Sequence, residues 1–117
     1  MPGAKPAHAD ICRAAIKAIC ASGGAAWTNP TGVGYTKRGT TIRYGLCSGS
    51  PDIVGDFHGY AIYVDAKRPN DRLSAEQRAF LDAAAERGCY AIELRNPDIF
   101  REWLRENPQP THRRERV

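Results

Sequence analysis

The chain has 117 residues, 42% of them hydrophobic and 26% charged. That fits one domain of ordinary globular composition and excludes a disordered tail, a collagen-like fibre, a coiled coil or two catalytic domains. The longest uncharged stretch, Ala18 to Thr36, is interrupted by Gly, Pro and polar residues and falls short of the roughly 20 mostly apolar residues of a membrane span. Met1 to Asp10 lacks the apolar run of a secretory signal, so an intracellular, cytoplasmic protein with no membrane partner is expected. The net charge of +4 is unevenly placed: Ile11 through Pro51 contains no acid but holds Arg13, Lys17, Lys37, Arg38 and Arg43. After Asn107 a Pro-containing segment sets Arg113, Arg114 and Arg116 against Glu115, with no core residue before Val117. Such placement suits either a polyanion held by phosphate neutralisation or a plain solvated face.

His8 to Ser22 carries Ile11, Ala15, Ile16 and Ile19 on one helical face, and Gly23-Gly24 supplies the stop. Ala25 to Asn29 reads as a short strand. The turn-rich stretch after it leads to the β-branched and aromatic Thr40 to Tyr44, which together read as a hairpin with a long, flexible tip bearing Lys37-Arg38. A tight turn, Gly45 to Asp52, then enters the apolar run Ile53-Val54-Gly55. In Tyr60 to Lys67, Ile62, Val64 and Ala66 face one way while Tyr63, Asp65 and Lys67 face the other. Ser74 with Gln77 forms a capping-box pattern for a helix to Arg87, with Phe80, Leu81 and Ala84 as its buried stripe. Cys89 to Leu94 is a short strand, and Asn96-Pro97 caps a last helix whose Ile99, Phe100, Trp103 and Leu104 recur at helical spacing. Trp27, Trp103 and Phe100 read as core. The four cysteines form no CxxC pair, and His8, His58 and His112 fall at no zinc-ligand spacing from them, so reduced core thiols are expected in place of a structural zinc site.

The constellation that carries chemistry is Asp52 followed by Asp65-Ala66-Lys67. Asp65 and Lys67 stand two apart on a strand, so their side chains leave the same face roughly 7 Å apart. If Asp52 enters a neighbouring antiparallel strand at its open end, the two carboxylates and the Ala66 carbonyl converge as oxygen ligands suited to a hard ion such as Mg²⁺. Lys67 then orients the attacking water, deprotonates it, or stabilises charge on the phosphorus oxygens. An acid and a lysine two apart on a strand are also a common solvated pair. What sets this one apart is its context of core strands and a Gly-Ser-Pro-Asp turn.

The ordered set Gly49-Ser50-Pro51-Asp52-Ile53-Val54-Gly55, Tyr60-Ala61-Ile62-Tyr63-Val64-Asp65-Ala66-Lys67, Leu73-Ser74-Ala75-Glu76-Gln77 and Gly88 resembles the VRR-NUC domain, the virus-type replication-repair nuclease of the PD-(D/E)xK superfamily. The resemblance runs from the first helix to about Leu94. It implies an α/β, restriction-endonuclease-like core, a mixed central β-sheet flanked by helices in the order α-β-β-β-α-β-α. It also implies a Mg²⁺- or Mn²⁺-dependent endonuclease acting on DNA, often branched or junction DNA, of the small type found in phages and bacteria, some of which act as homodimers. Carried onto this chain, it makes Asp52, Asp65 and Ala66 the metal-binding positions and Lys67 the catalytic base or charge stabiliser. Gln77 matches a glutamine that supports the site, and Asp10 lies where a first-helix Glu is usual. At both Asp10 and Asp65 the acid is one methylene shorter than the commoner Glu. Charge placement adds Lys37, Arg38, Arg43, with Tyr35 nearby, and Arg68 as candidate DNA contacts. The expected organisation is a nuclease domain over residues 1–106 and a basic, flexible tail over 107–117. The rival reading is a catalytically inactive module that binds DNA structure without cutting it.

Overall fold

Helix α1 (His8–Ala21) forms where Ile11, Ala15, Ala18 and Ile19 recur on one face, and it ends at Ser22 and the left-handed Gly23. It belongs to a computed structural model that describes residues 7–30, 32–35, 37–44 and 47–117, with the side chains of 32–35 and 41–44 outside the description. Next come β1 (Ala25–Thr28), the pair β2 (Gly32–Tyr35) and β3 (Thr41–Tyr44), then β4 (Ile53–Phe57) and β5 (Tyr60–Ala66). Helix α2 (Ala75–Glu86), strand β6 (Tyr90–Leu94), helix α3 (Pro97–Glu106) and the short β7 (Glu115–Arg116) complete the chain. The main sheet has the order β1-β4-β5-β6-β7, while β2 and β3 make a separate two-stranded sheet. Pairing is antiparallel from β1 through β5 and parallel from β5 through β7. This is an α/β fold with a mixed five-stranded sheet flanked by helices, as the resemblance implied. Among the described residues no helix is long and apolar enough to cross a membrane.

The period of two on β5 and β6 builds two cores. Ile62, Val64, Ala66, Tyr90, Ile92 and Leu94 pack with α1 and α3 on one face, while Tyr63 and Ala91 meet Leu81, Ala84 and Ala85 of α2 on the other. A parallel β5–β6 pair needs a crossover, and α2 is that crossover. Its capping box is complete: the Gln77 N–H donates to Ser74 Oγ, and Gln77 Oε1 accepts from the Ser74 N–H. Asn96 Oδ1 likewise accepts from the N–H groups of Asp98 and Ile99 at the start of α3. The β4–β5 hairpin closes through His58 and Gly59, whose φ values of 51° and 82° are those of a two-residue type I′ turn.

Several expectations are corrected. Trp27, read as core, is 55% exposed. On the edge strand β1 its neighbour Ala26 faces the α1 core, so Trp27 takes the opposite face, which α2 does not reach because it packs over β5 and β6. Ile99, which recurs at helical spacing with Phe100, Trp103 and Leu104, is 56% exposed, because α3 buries the Phe100–Leu104 stripe and Ile99 lies beside it. Of the cysteines only Cys12 is buried; all four are free thiols, and Cys20 and Cys47 are exposed. The tail expected after Asn107 differs as well. Glu115 and Arg116 pair with β6, Val117 is buried, and the Val117 oxygen accepts from the N–H groups of Arg95 and Asn96. Glu93, buried on β6, draws the segment in through ion pairs with Arg114 and Arg116, and Arg114 also reaches Asp82 on α2.

Gly49 fixes the turn before β4 against α2. It has φ +77°, and a Cβ there would lie 2.1 Å from the Glu76 carbonyl oxygen, whereas Gly59 at φ +82° faces open space. Gly59→Ala is expected to cost about 1 kcal/mol from conformation alone. Gly49→Ala adds overpacking against helix backbone and is expected to cost about 2–4 kcal/mol. Urea midpoints of the two variants check this, and equal losses would contradict it.

Candidate functional site

The pairing of Ile53 with Val64 brings Asp52, just before β4, abreast of Asp65 near the end of β5. Each acid is held by backbone of the other strand. The Asp52 N–H donates to Asp65 Oδ1 at 3.2 Å, and the Ala66 N–H donates to Asp52 Oδ2 at 2.9 Å. Asp65 is wholly buried, and its Oδ2 has no hydrogen-bond partner among the described residues. Burial, reinforced by the charge of Asp52, pushes its carboxyl up from 3.8 to about 7, against the opposing pull of the Asp52 N–H, Lys67 and His8. Lys67 follows β5 directly; its N–H donates to the Leu94 carbonyl at 2.9 Å, which carries the chain on beside β6. Among the described residues Lys67 makes no ion pair within 4.0 Å, and its charge acts on Asp65 from the same face of the strand.

Two residues that sequence reasoning passed over shape this site. Asn29, after β1, clamps the turn that presents Asp52. Its N–H donates to the Asp52 carbonyl at 2.8 Å, and its Nδ2 donates to Ser50 Oγ at 2.6 Å and the Pro51 carbonyl at 3.0 Å. His8, the first residue of α1, sets Nε2 3.1 Å from Asp52 Oδ2 and 3.1 Å from the Ala66 carbonyl oxygen. Cys12, one turn on, lies 3.8 Å from His8 Nδ1, and His8, Cys12 and Asp52 bring potential ligand atoms within 4.8 Å of one another. Asp65 lies outside that cluster. Burial, with the nearby charges of Asp52 and Asp65, pushes the Cys12 thiol up to about 11, so it stays protonated at neutral pH. The available signal was the His8/Cys12 spacing of four, which puts both side chains on one face of a helix. A cleft of about 360 Å³ opens here between α1 and the end of β1, lined by His8, Cys12, Arg13, Thr28, Asn29 and Asp52.

The other expected residues lie elsewhere. Asp10 pairs with Arg13 and is largely exposed, so its carboxylate is turned to its own helix. Gln77 is engaged in the capping box, and its N–H packs behind Gly49. Lys37 and Arg38 are exposed at the turn joining β2 and β3; the side chains of Tyr35 and Arg43 lie outside the described residues. Arg68 is exposed, and its carbonyl accepts from Arg95 Nη1, which also donates to the Asp71 carbonyl and so fixes the loop after Lys67. Beyond that loop a second cleft of about 710 Å³ gathers Arg72, Arg78, Arg95, Arg114 and Arg116 around Asp71 and Glu93.

The family model described as the VRR-NUC domain matches residues 37–96, which takes in Asp52, Asp65, Lys67 and Gln77 but not α1. A comparison with curated proteins gives no match.

Because the folded value of Asp65 lies above the unfolded one, the folded chain binds the extra proton between about pH 4 and pH 7, and stability falls as pH rises through that window. Asp65→Asn removes this penalty. In EDTA it is expected to raise Tm over the wild type at pH 8, with most of the gain gone by pH 4–5. A difference independent of pH in thermal melts would contradict it.

Proposed function

The chain belongs to the VRR-NUC domain family, and from that premise we propose that it is a divalent-metal-dependent DNA endonuclease whose site is Asp52, Asp65, Ala66 and Lys67. The observation that carries the reading is the buried Oδ2 of Asp65, without a partner among the described residues, beside a second carboxylate. Two acids so placed repel each other, and a cation is the natural relief of both the repulsion and the missing partner. The donors present are carboxylate and carbonyl oxygens, the chemistry of a Mg²⁺ or Mn²⁺ site, so the residues fit the ion that the family implies. Asp52, Asp65 and the Ala66 carbonyl would hold it, and when bound it would supply Lewis-acid polarisation of the phosphate and a more acidic water.

The chain's own residues do the rest. Asn29 keeps Asp52 at the mouth of the cleft, and Arg13 on the same cleft wall offers a phosphate a second positive charge. As water attacks phosphorus and the bond to the leaving oxygen breaks, negative charge grows on the phosphoryl oxygens. The Lys67 ammonium would stabilise that charge, while the attacking water gives up a proton to solvent and a proton from solvent completes the leaving hydroxyl. Lys37, Arg38, Arg43 and Arg68, together with the five-arginine cleft, would follow the DNA backbone. Preference for branched DNA and a two-fold dimer that cuts both strands complete the reading.

Incubation with linear, flapped and four-way-junction DNA in Mg²⁺ or Mn²⁺ is expected to give cleavage that EDTA abolishes. Asp52→Ala and Lys67→Ala are each expected to lower it by about a hundredfold or more. No metal-dependent cleavage of any substrate, with DNA binding retained, would leave the non-cutting binding module in its place. Lys37→Ala/Arg38→Ala is expected to weaken binding across sequences and reduce the salt slope by about one to two. An unchanged slope would remove the hairpin tip from the interface.

A further inference from the structure

Helix α1 lies outside the span matched by the family, and it brings no carboxylate to the acids of β4 and β5, since Asp10 is paired with Arg13. What it brings is the imidazole of His8. Nε2 stands 3.1 Å from Asp52 Oδ2 and 3.1 Å from the Ala66 carbonyl oxygen, two of the oxygens assigned above to the cation. Neighbouring ligands on an octahedral ion with bonds of about 2.1–2.2 Å stand about 3.0–3.1 Å apart. The nitrogen and both oxygens therefore already have the spacing of adjacent ligands.

We propose that His8 is itself a ligand of the cation, so that α1 converts an all-oxygen site into a mixed nitrogen and oxygen one that prefers Mn²⁺ to Mg²⁺. The proposal rests on the metal-nuclease reading and deepens it. Mg²⁺ favours oxygen donors and keeps its waters, whereas Mn²⁺ and the later first-row ions gain more from an imidazole. In a neutral ring, the two oxygens facing Nε2, which only accept, assign the hydrogen to that nitrogen. To ligate, it exchanges that hydrogen for one on Nδ1 through solvent, while Cys12 Sγ, 3.8 Å from Nδ1 and 3.9 Å from Nε2, packs against the ring between the two nitrogens. His8 keeps 48% of its side-chain surface exposed, so the ring has room to adjust, and its replacement leaves the helix core intact.

Mn²⁺ titration read by electron paramagnetic resonance, with pulsed detection of ¹⁴N modulation, tests this on the full chain without any activity assay. Wild type is expected to bind Mn²⁺ with imidazole ¹⁴N modulation. His8→Ala should bind it at least about tenfold more weakly and lose the modulation, while Mg²⁺ affinity measured by competition falls less. His8→Asp should recover Mn²⁺ binding without modulation and shift the preference toward Mg²⁺. Equal Mn²⁺ affinity in wild type and His8→Ala, with no ¹⁴N modulation in either, would overturn the ligand assignment and leave the metal-nuclease reading standing. No binding to wild type, or binding indifferent to Asp52→Ala, would overturn both.

Discussion

Two backbone hydrogen bonds, exchanged between Asp52 and the Asp65–Ala66 segment, hold the two acids of the candidate site side by side. Each strand donates an N–H to the other's acid, Asp52 to Asp65 Oδ1 and Ala66 to Asp52 Oδ2. Two carboxylates brought side by side repel each other. A hydrogen bond to a charged group returns about 1.5–3 kcal/mol, and two of them hold the acids together against that repulsion. The remaining tension is visible in Asp65, whose carboxyl is driven up to about 7 and whose second oxygen finds no partner among the described residues. An apolar pair at these positions would pack more comfortably, which is why the arrangement speaks for chemistry and not for stability.

The surrounding fold is organised to keep that tension in place. From one side α1 closes over Asp52, from the end of β1 Asn29 grips the turn, and from the other face α2 abuts Gly49. Next to Asp65 on the parallel strand stands Glu93, also buried but fully compensated by Arg95, Arg114 and Arg116. Two buried acids in adjacent strands thus have opposite environments. One is neutralised by Arg95 beside it and by Arg114 and Arg116 from the end of the chain, and the other has near it Lys67, which makes no ion pair among the described residues, and His8.

Much of this was legible in the sequence wherever a signal is local. The capping box at Ser74–Gln77, the Asn96-Pro97 start of α3 and the alternation along β5 each depend on neighbours a few residues apart, and each is present. The pairing of Asp52 with Asp65 was reachable because a hairpin joins them. His8 was not, since it meets Asp52 and Ala66 across 44 and 58 residues, and only the docking of α1 brings them together. Trp27 misled because an aromatic in a strand carries no mark of whether that strand lies at the edge of its sheet. The final strand escaped notice for a related reason: two residues have no periodicity, and what draws Glu115 and Arg116 in is a buried glutamate on another strand.

The turn at His58–Gly59 has an influence that reaches well past its own position. It sets the alignment of β4 with β5 over five residue pairs, from Phe57 and Tyr60 at the closed end to Ile53 and Val64 at the open one. Insertion of a single residue there, if the strands re-paired one step out of register, would send Asp65 into the apolar layer beneath α1 and α3 and expel Ile62 and Val64 from it. The length of a two-residue bend at one end of the hairpin therefore decides which side chains can do chemistry at the other.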